Sequence, residues 1–126
     1  MKLRTLLILN TIVALLFALA FLLGPAPVLK FFGLTQGKTE TLLAQVIGAA
    51  LVGYGFITWF ARDYTDAQAI QGTVLSLFIY SGIGFVVTLL GVLSQVTRSG
   101  TAWLVVIIYL LFTAGYAYFQ FMGPRE

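Results

Sequence analysis

Four predominantly apolar stretches, at positions 5–23, 41–60, 69–93 and 102–121, contain no Asp, Glu, Lys or Arg. Each approaches or exceeds the roughly 20 residues that carry a helix across a bilayer's hydrocarbon core. In lipid every backbone N–H and C=O must be satisfied within the protein, and none of the four stretches alternates with the period of a barrel strand. Helices are therefore expected. Short connections set successive helices antiparallel. The expected fold is all-α, an integral membrane antiparallel four-helix bundle forming one domain over residues 1–126.

Composition agrees with that reading. The chain is 60% hydrophobic and 9% charged, against roughly 25% charged residues in ordinary soluble domains. A soluble core of this size cannot hide so much apolar surface, and a bilayer removes it from water. The first stretch follows Lys2 and Arg4 and contains Ala18-Leu19-Ala20, a small-residue pattern of the kind found at signal-peptide cleavage sites. The apolar run continues through Phe21, Leu22 and Leu23, which favours a retained anchor.

The connections carry their own signals. Thr65 and Gln68 have capping-box spacing before the third helix, and Glu40 suits the positive end of the second. Ser99 and Gly100 mark the last turn. Gly24-Pro25-Ala26-Pro27 stops the first helix, and Val28, Leu29, Phe31 and Phe32 then surround Lys30. Two readings fit: a short interfacial helix on the membrane surface with Lys30 reaching water, or an apolar loop packed on the end of the bundle. Trp59, Tyr64, Trp103, Tyr118 and Phe119 fall near helix ends, as in an aromatic belt. Four spans put both termini on one side. That side carries Lys2, Arg4, Arg62 and Arg125 and the other Lys30, Lys38 and Arg98, so both termini are expected in the cytoplasm.

The residue inventory restricts the chemistry. There is no cysteine and no histidine, so the commonest metal and haem ligands are missing, and no metal or cofactor is expected. The net charge of +3 sits in short connections and forms no basic stripe, which does not suggest nucleic acid as a partner. Proton relays and coupled transporters ordinarily place an ionisable group at membrane depth, and the spans hold none. Asp63 and Asp66 beside Arg62 are read as a solvated loop with a helix cap.

Within the spans the polar groups are amides, hydroxyls and phenols, among them Asn10, Gln45, Thr58, Ser76, Tyr80, Ser81, Thr88, Tyr109, Thr113 and Tyr116. Antiparallel threading puts Asn10 near the level of Thr58, Ser76 and Tyr116. Gln45 falls toward the opposite side, near Thr88 or Gly91. Each amide then needs its own partner. Either it ties two helices together, or it lines a lipophile pocket or meets a partner protein. Small residues recur at packing intervals: Ala44 and Gly48, Ala49 and Gly53 with Gly55 nearby, Gly84 with Thr88 and Gly91, and Ala14 with Ala18. Such faces let helix backbones approach, and the tight seam is expected between the second and third spans.

From Gly24-Pro25 through Phe32-Gly33-Leu34, then Gly48-Ala49-Ala50-Leu51-Val52-Gly53-Tyr54-Gly55, to Trp59-Phe60-Ala61-Arg62-Asp63, the chain resembles a small bacterial four-pass membrane family of uncharacterised function. It is similar in size and layout to DoxX-like proteins. The resemblance implies a four-helix fold in a bacterial inner membrane and assigns no catalytic residue. The expected function is non-enzymatic: an accessory or scaffold subunit that packs against a larger membrane complex or its own copies, surrounded by membrane lipids. The alternative is a module that binds a lipid, quinone or pigment, or a passive pathway for a small neutral solute.

Overall fold

The computed structural model describes residues 2–94 and 100–121; Arg98, Ser99 and Arg125 lie outside them. Every regular element among the described residues is a helix: α1 (Leu3–Leu23), α2 (Pro25–Phe31), α3 (Lys38–Ala61), α4 (Ala67–Leu93) and α5 (Ala102–Phe121). Helices α1, α3, α4 and α5 are each long and apolar enough to cross a membrane.

Helix ends follow local chemistry. The helix expected from Ala69 begins at Ala67, because the Asp66 carboxylate accepts from the Ala69 backbone N–H at 3.3 Å and supplies the N-cap. That replaces the anticipated Thr65–Gln68 box. Helix α3 starts at Lys38, ahead of the expected Thr41, with Glu40 in its first turn. Pro25 occupies the first turn of α2, where a missing N–H costs nothing. At the other end of α2, Leu34 N–H donates to Leu29 C=O at 2.8 Å and Gly33 N–H to Lys30 C=O at 3.0 Å. This Schellman pair requires a left-handed residue, and Gly33 supplies it with φ 69°. The first connection is thus a short helix with Leu29 and Phe32 buried and Lys30 exposed.

Packing divides the long helices into two pairs, α1 on α3 and α4 on α5, with α2 lying against α3 and α1. Contacts along the first pair are ordered: Arg4 meets Asp63, Thr11 meets Thr58, Leu15 covers Gly55, and Ala18, Phe21 and Leu22 cover Gly48. Partner numbers on α3 fall as those on α1 rise. A Cβ on Gly48 would stand 2.8 Å from Leu22 and one on Gly55 would stand 2.8 Å from Leu15, so the absent side chains set how closely these helices approach.

The tight seam expected between the second and third spans is not there. The reason lies in which way the small residues face. Gly48 and Gly55 are buried toward α1 and Ala44 is buried, whereas Ala49 is exposed and a Cβ on Gly53 would meet nothing within 4 Å. The Tyr109 ring of α5 covers Gly84, and a Cβ on Gly91 would likewise meet nothing. The two pairs join around a common core of Leu3, Leu6 and Leu7 from α1, Ala61 from α3, Val74 and Leu77 from α4, and Tyr116 and Phe119 from α5. Phe119, 2% exposed, is part of this core and not of a surface belt; Trp59, Tyr64, Trp103 and Tyr118 are exposed.

Candidate functional site

Beyond the common core the two pairs flank a half-open cavity of about 400 Å³. One end is formed by Asn10, Tyr54, Tyr80 and Ser81, and the other by Phe21, Phe32, Leu34, Ile47 and Gly91. On α1 its wall runs from Asn10 to Phe21, roughly 16 Å at the helical rise of 1.5 Å per residue. Helix α2 contributes to the far end through the Schellman turn, which sets Phe32 and Leu34 on the wall. No Lys, Arg, Asp or Glu is among the described residues that line it.

The polar end is built around Asn10, which is 3% exposed. Its amide nitrogen donates to the Tyr54 hydroxyl at 2.7 Å and to the Tyr116 hydroxyl at 2.5 Å. Depth counting along the sequence brings Asn10 and Tyr116 together but pairs neither with Tyr54. Thr58, expected at the Asn10 level, instead shares a hydrogen bond of 2.7 Å with Thr11 and donates to Gly55 C=O. Tyr54 continues the network sideways: its ring lies 4.8 Å from that of Tyr80, whose hydroxyl is 3.1 Å from the Tyr109 hydroxyl. Tyr116, Asn10, Tyr54, Tyr80 and Tyr109 therefore link α5, α1, α3 and α4.

The hydroxyls of three other span residues are satisfied locally. Ser76 donates to Gly72 C=O, Thr88 to Gly84 C=O and Thr113 to Tyr109 C=O, each within its own helix. Asn10 differs, because both N–H groups are engaged and its carbonyl oxygen accepts no hydrogen bond from the described residues. That oxygen is not sealed in the packing, and it borders the cavity, where an incoming group can reach it.

Gln45 is exposed and lies in a separate shallow recess with Ala26, Gln36, Gly37, Lys38, Thr41 and Leu42. The structure does not bring the two amides together. Of the small residues, Ala14 and Gly91 line the central cavity, Gly48, Gly55 and Gly84 serve helix contacts, and Ala44 is buried. Tyr54 is missing from the polar set that the sequence suggests. Its signal is positional: it lies three residues after Leu51 and one before buried Gly55, on the side of α3 that borders the cavity.

The acidic pair in the α3–α4 connection is committed elsewhere. Asp63 accepts from Arg4 and lies 3.4 Å from Arg62, while Asp66 caps α4. The hydrogen bond from Arg4 holds the Asp63 carboxyl below its usual range, with the Arg62 charge adding to the effect. Arg62 stacks over the Trp59 ring at 3.4 Å and donates to Trp59 C=O at 2.6 Å. No protein-family model, curated protein or solved structure matches the chain.

Proposed function

We propose that this protein is an integral membrane antiparallel four-helix bundle that binds one neutral lipophilic molecule between its two helix pairs. The observation that carries the reading is an apolar cavity about 400 Å³ in volume with a buried, incompletely paired amide at one end. Ligand sites are typically of this size, mostly apolar, with a few placed polar groups that fix orientation. The tail would lie along Phe17, Leu51, Val87 and Val105, and the head would meet Asn10, Tyr54, Tyr80 and Tyr109. A charged head would need a counter-ion in so apolar a place, and the described walls provide none.

The outer surface supports the membrane setting: Leu16, Leu111 and Phe121 are each more than 60% exposed. Such side chains suit lipid contact. Lys2, Arg4 and Arg62 gather at one end with the N-terminus and the α3–α4 connection. By the positive-inside tendency that end faces the cytoplasm of a bacterial inner membrane.

Purification from the native membrane in mild detergent, with mass spectrometry of co-eluting lipids and proteins, tests the reading. One neutral lipophile enriched near one per chain is expected, and Leu51→Trp, which fills the cavity, should remove it while leaving the elution profile unchanged. A stoichiometric protein partner with no enriched small molecule would replace this reading with that of an accessory subunit.

A further inference from the structure

Resting on the cavity as a lipophile site, we infer that its preferred ligand carries a hydrogen-bond donor on its head, an alcohol or phenol, and that Asn10 is the residue that selects it. An asparagine amide offers two donors and one acceptor. Both donors are taken, by Tyr54 at 2.7 Å and Tyr116 at 2.5 Å, and the residue is 3% exposed on the cavity wall. What is left for a ligand is the carbonyl oxygen, which can only accept. Thr88 is also on the wall, but its hydroxyl hydrogen is spent on Gly84 C=O at 2.7 Å. Tyr80 and Tyr109 face each other at 3.1 Å, so one donates to the other, which keeps its own hydrogen. Together with Tyr54, which accepts from Asn10, and Ser81 on the wall, such a hydroxyl can meet the head oxygen that an alcohol and an ether share, so the Asn10 oxygen is what tells the two apart.

An alcohol head pairs the Asn10 oxygen as it enters. An ether or ester head of the same shape leaves that oxygen unpaired and brings a second acceptor beside it. Sites that hydrogen-bond a substrate hydroxyl reject analogues lacking it far more strongly than apolar pockets reject a missing methylene, because the protein group is left without a partner.

The test uses the full chain in lipid nanodiscs and two probes, farnesol and farnesyl methyl ether, with affinities measured by titration. Farnesol should bind about tenfold tighter, the effect of one buried hydrogen bond of about 1.4 kcal/mol. In Asn10→Leu the two probes should bind within about twofold of each other. Persistence of the preference in Asn10→Leu would trace it to the size of the methyl group and overturn the assignment to Asn10. Equal binding by the wild-type chain, or preference for the ether, would overturn the donor inference and leave the cavity reading standing. Failure of both probes to bind would overturn the cavity reading itself. The wild-type comparison needs no variant, and Tyr54→Phe gives a second check: it frees one Asn10 N–H and should narrow the gap by improving the ether.

Discussion

The Asn10 amide donates to the Tyr116 hydroxyl at 2.5 Å, joining the first long helix to the last across 106 positions of sequence. Tyr116 is fully buried, so the bond closes the core at the end where the two pairs meet. Tyr116→Phe keeps the ring and removes the acceptor, leaving one Asn10 N–H unpaired. The expected cost is about 1–2 kcal/mol, in line with hydrogen bonds between membrane helices. Reversible unfolding in mixed micelles measures it; a change below a few tenths would show that the bond contributes nothing net.

Thr58→Val should do less. Thr11 keeps its bond to Leu7 C=O at 2.9 Å when Thr58 is removed, and valine fills the same space. A loss of roughly 0.6 kcal/mol or less is expected from the same measurement. A larger loss would mean that the Thr11–Thr58 bond, and not the Asn10 network, is the principal polar tie.

The glycines separate into two groups that alanine substitution distinguishes. A Cβ on Gly84 would stand 2.5 Å from the Tyr109 ring, so Gly84→Ala should push that ring away, break its contact with Tyr80 and cost about 1–3 kcal/mol. Gly53→Ala meets nothing within 4 Å and should be neutral or stabilising by up to about 1 kcal/mol through helix propensity. Equal effects at both positions would contradict this packing.

Asp63 gives the chain an acid-sensitive contact. Its carboxyl titrates below its usual range in the folded protein because Arg4 donates to it. A lowered folded value means the contribution is present above the ordinary carboxylate range and is lost as pH falls through the folded value. The unfolding midpoint should therefore fall modestly on acidification below that range, less so in high salt, because the pair is exposed. Asp63→Asn should flatten this part of the profile.

The helices are legible in the sequence because lipid-scale apolar runs leave little choice, and α5 begins and ends where its run does. The pairing is less legible. Ala44-Gly48 and Ala49-Gly53 have the same spacing, and an offset of five residues, roughly 140° around the helix, is all that separates a buried face from an exposed one. Depth counting finds Tyr116 for Asn10 because both are buried between the helices at matching depth, but it cannot choose between Tyr54 and Thr58. These stand about one turn apart on α3, within reach of a long phenol or a short hydroxyl respectively. The extent of the cavity is not legible: a lipophile pocket at Asn10 is one of the sequence's alternatives, but the walls come from two pairs that share the Tyr116 end, a relationship between helices and not within any of them.

That shared end also bears on how the chain comes to be assembled. The α1–α3 pair is complete once synthesis has passed Ala61, and the α4–α5 pair uses only residues after Asp66. Each half closes on neighbours in its own stretch of chain, and the contacts between halves, the core around Tyr116 and Phe119 among them, need residues of both. The Tyr116 core, the Tyr54–Tyr80 ring contact and the bond from the Thr101 hydroxyl to Phe31 C=O all join the first half to residues after Asp66, so the cavity has no complete wall until the C-terminal hairpin has been made.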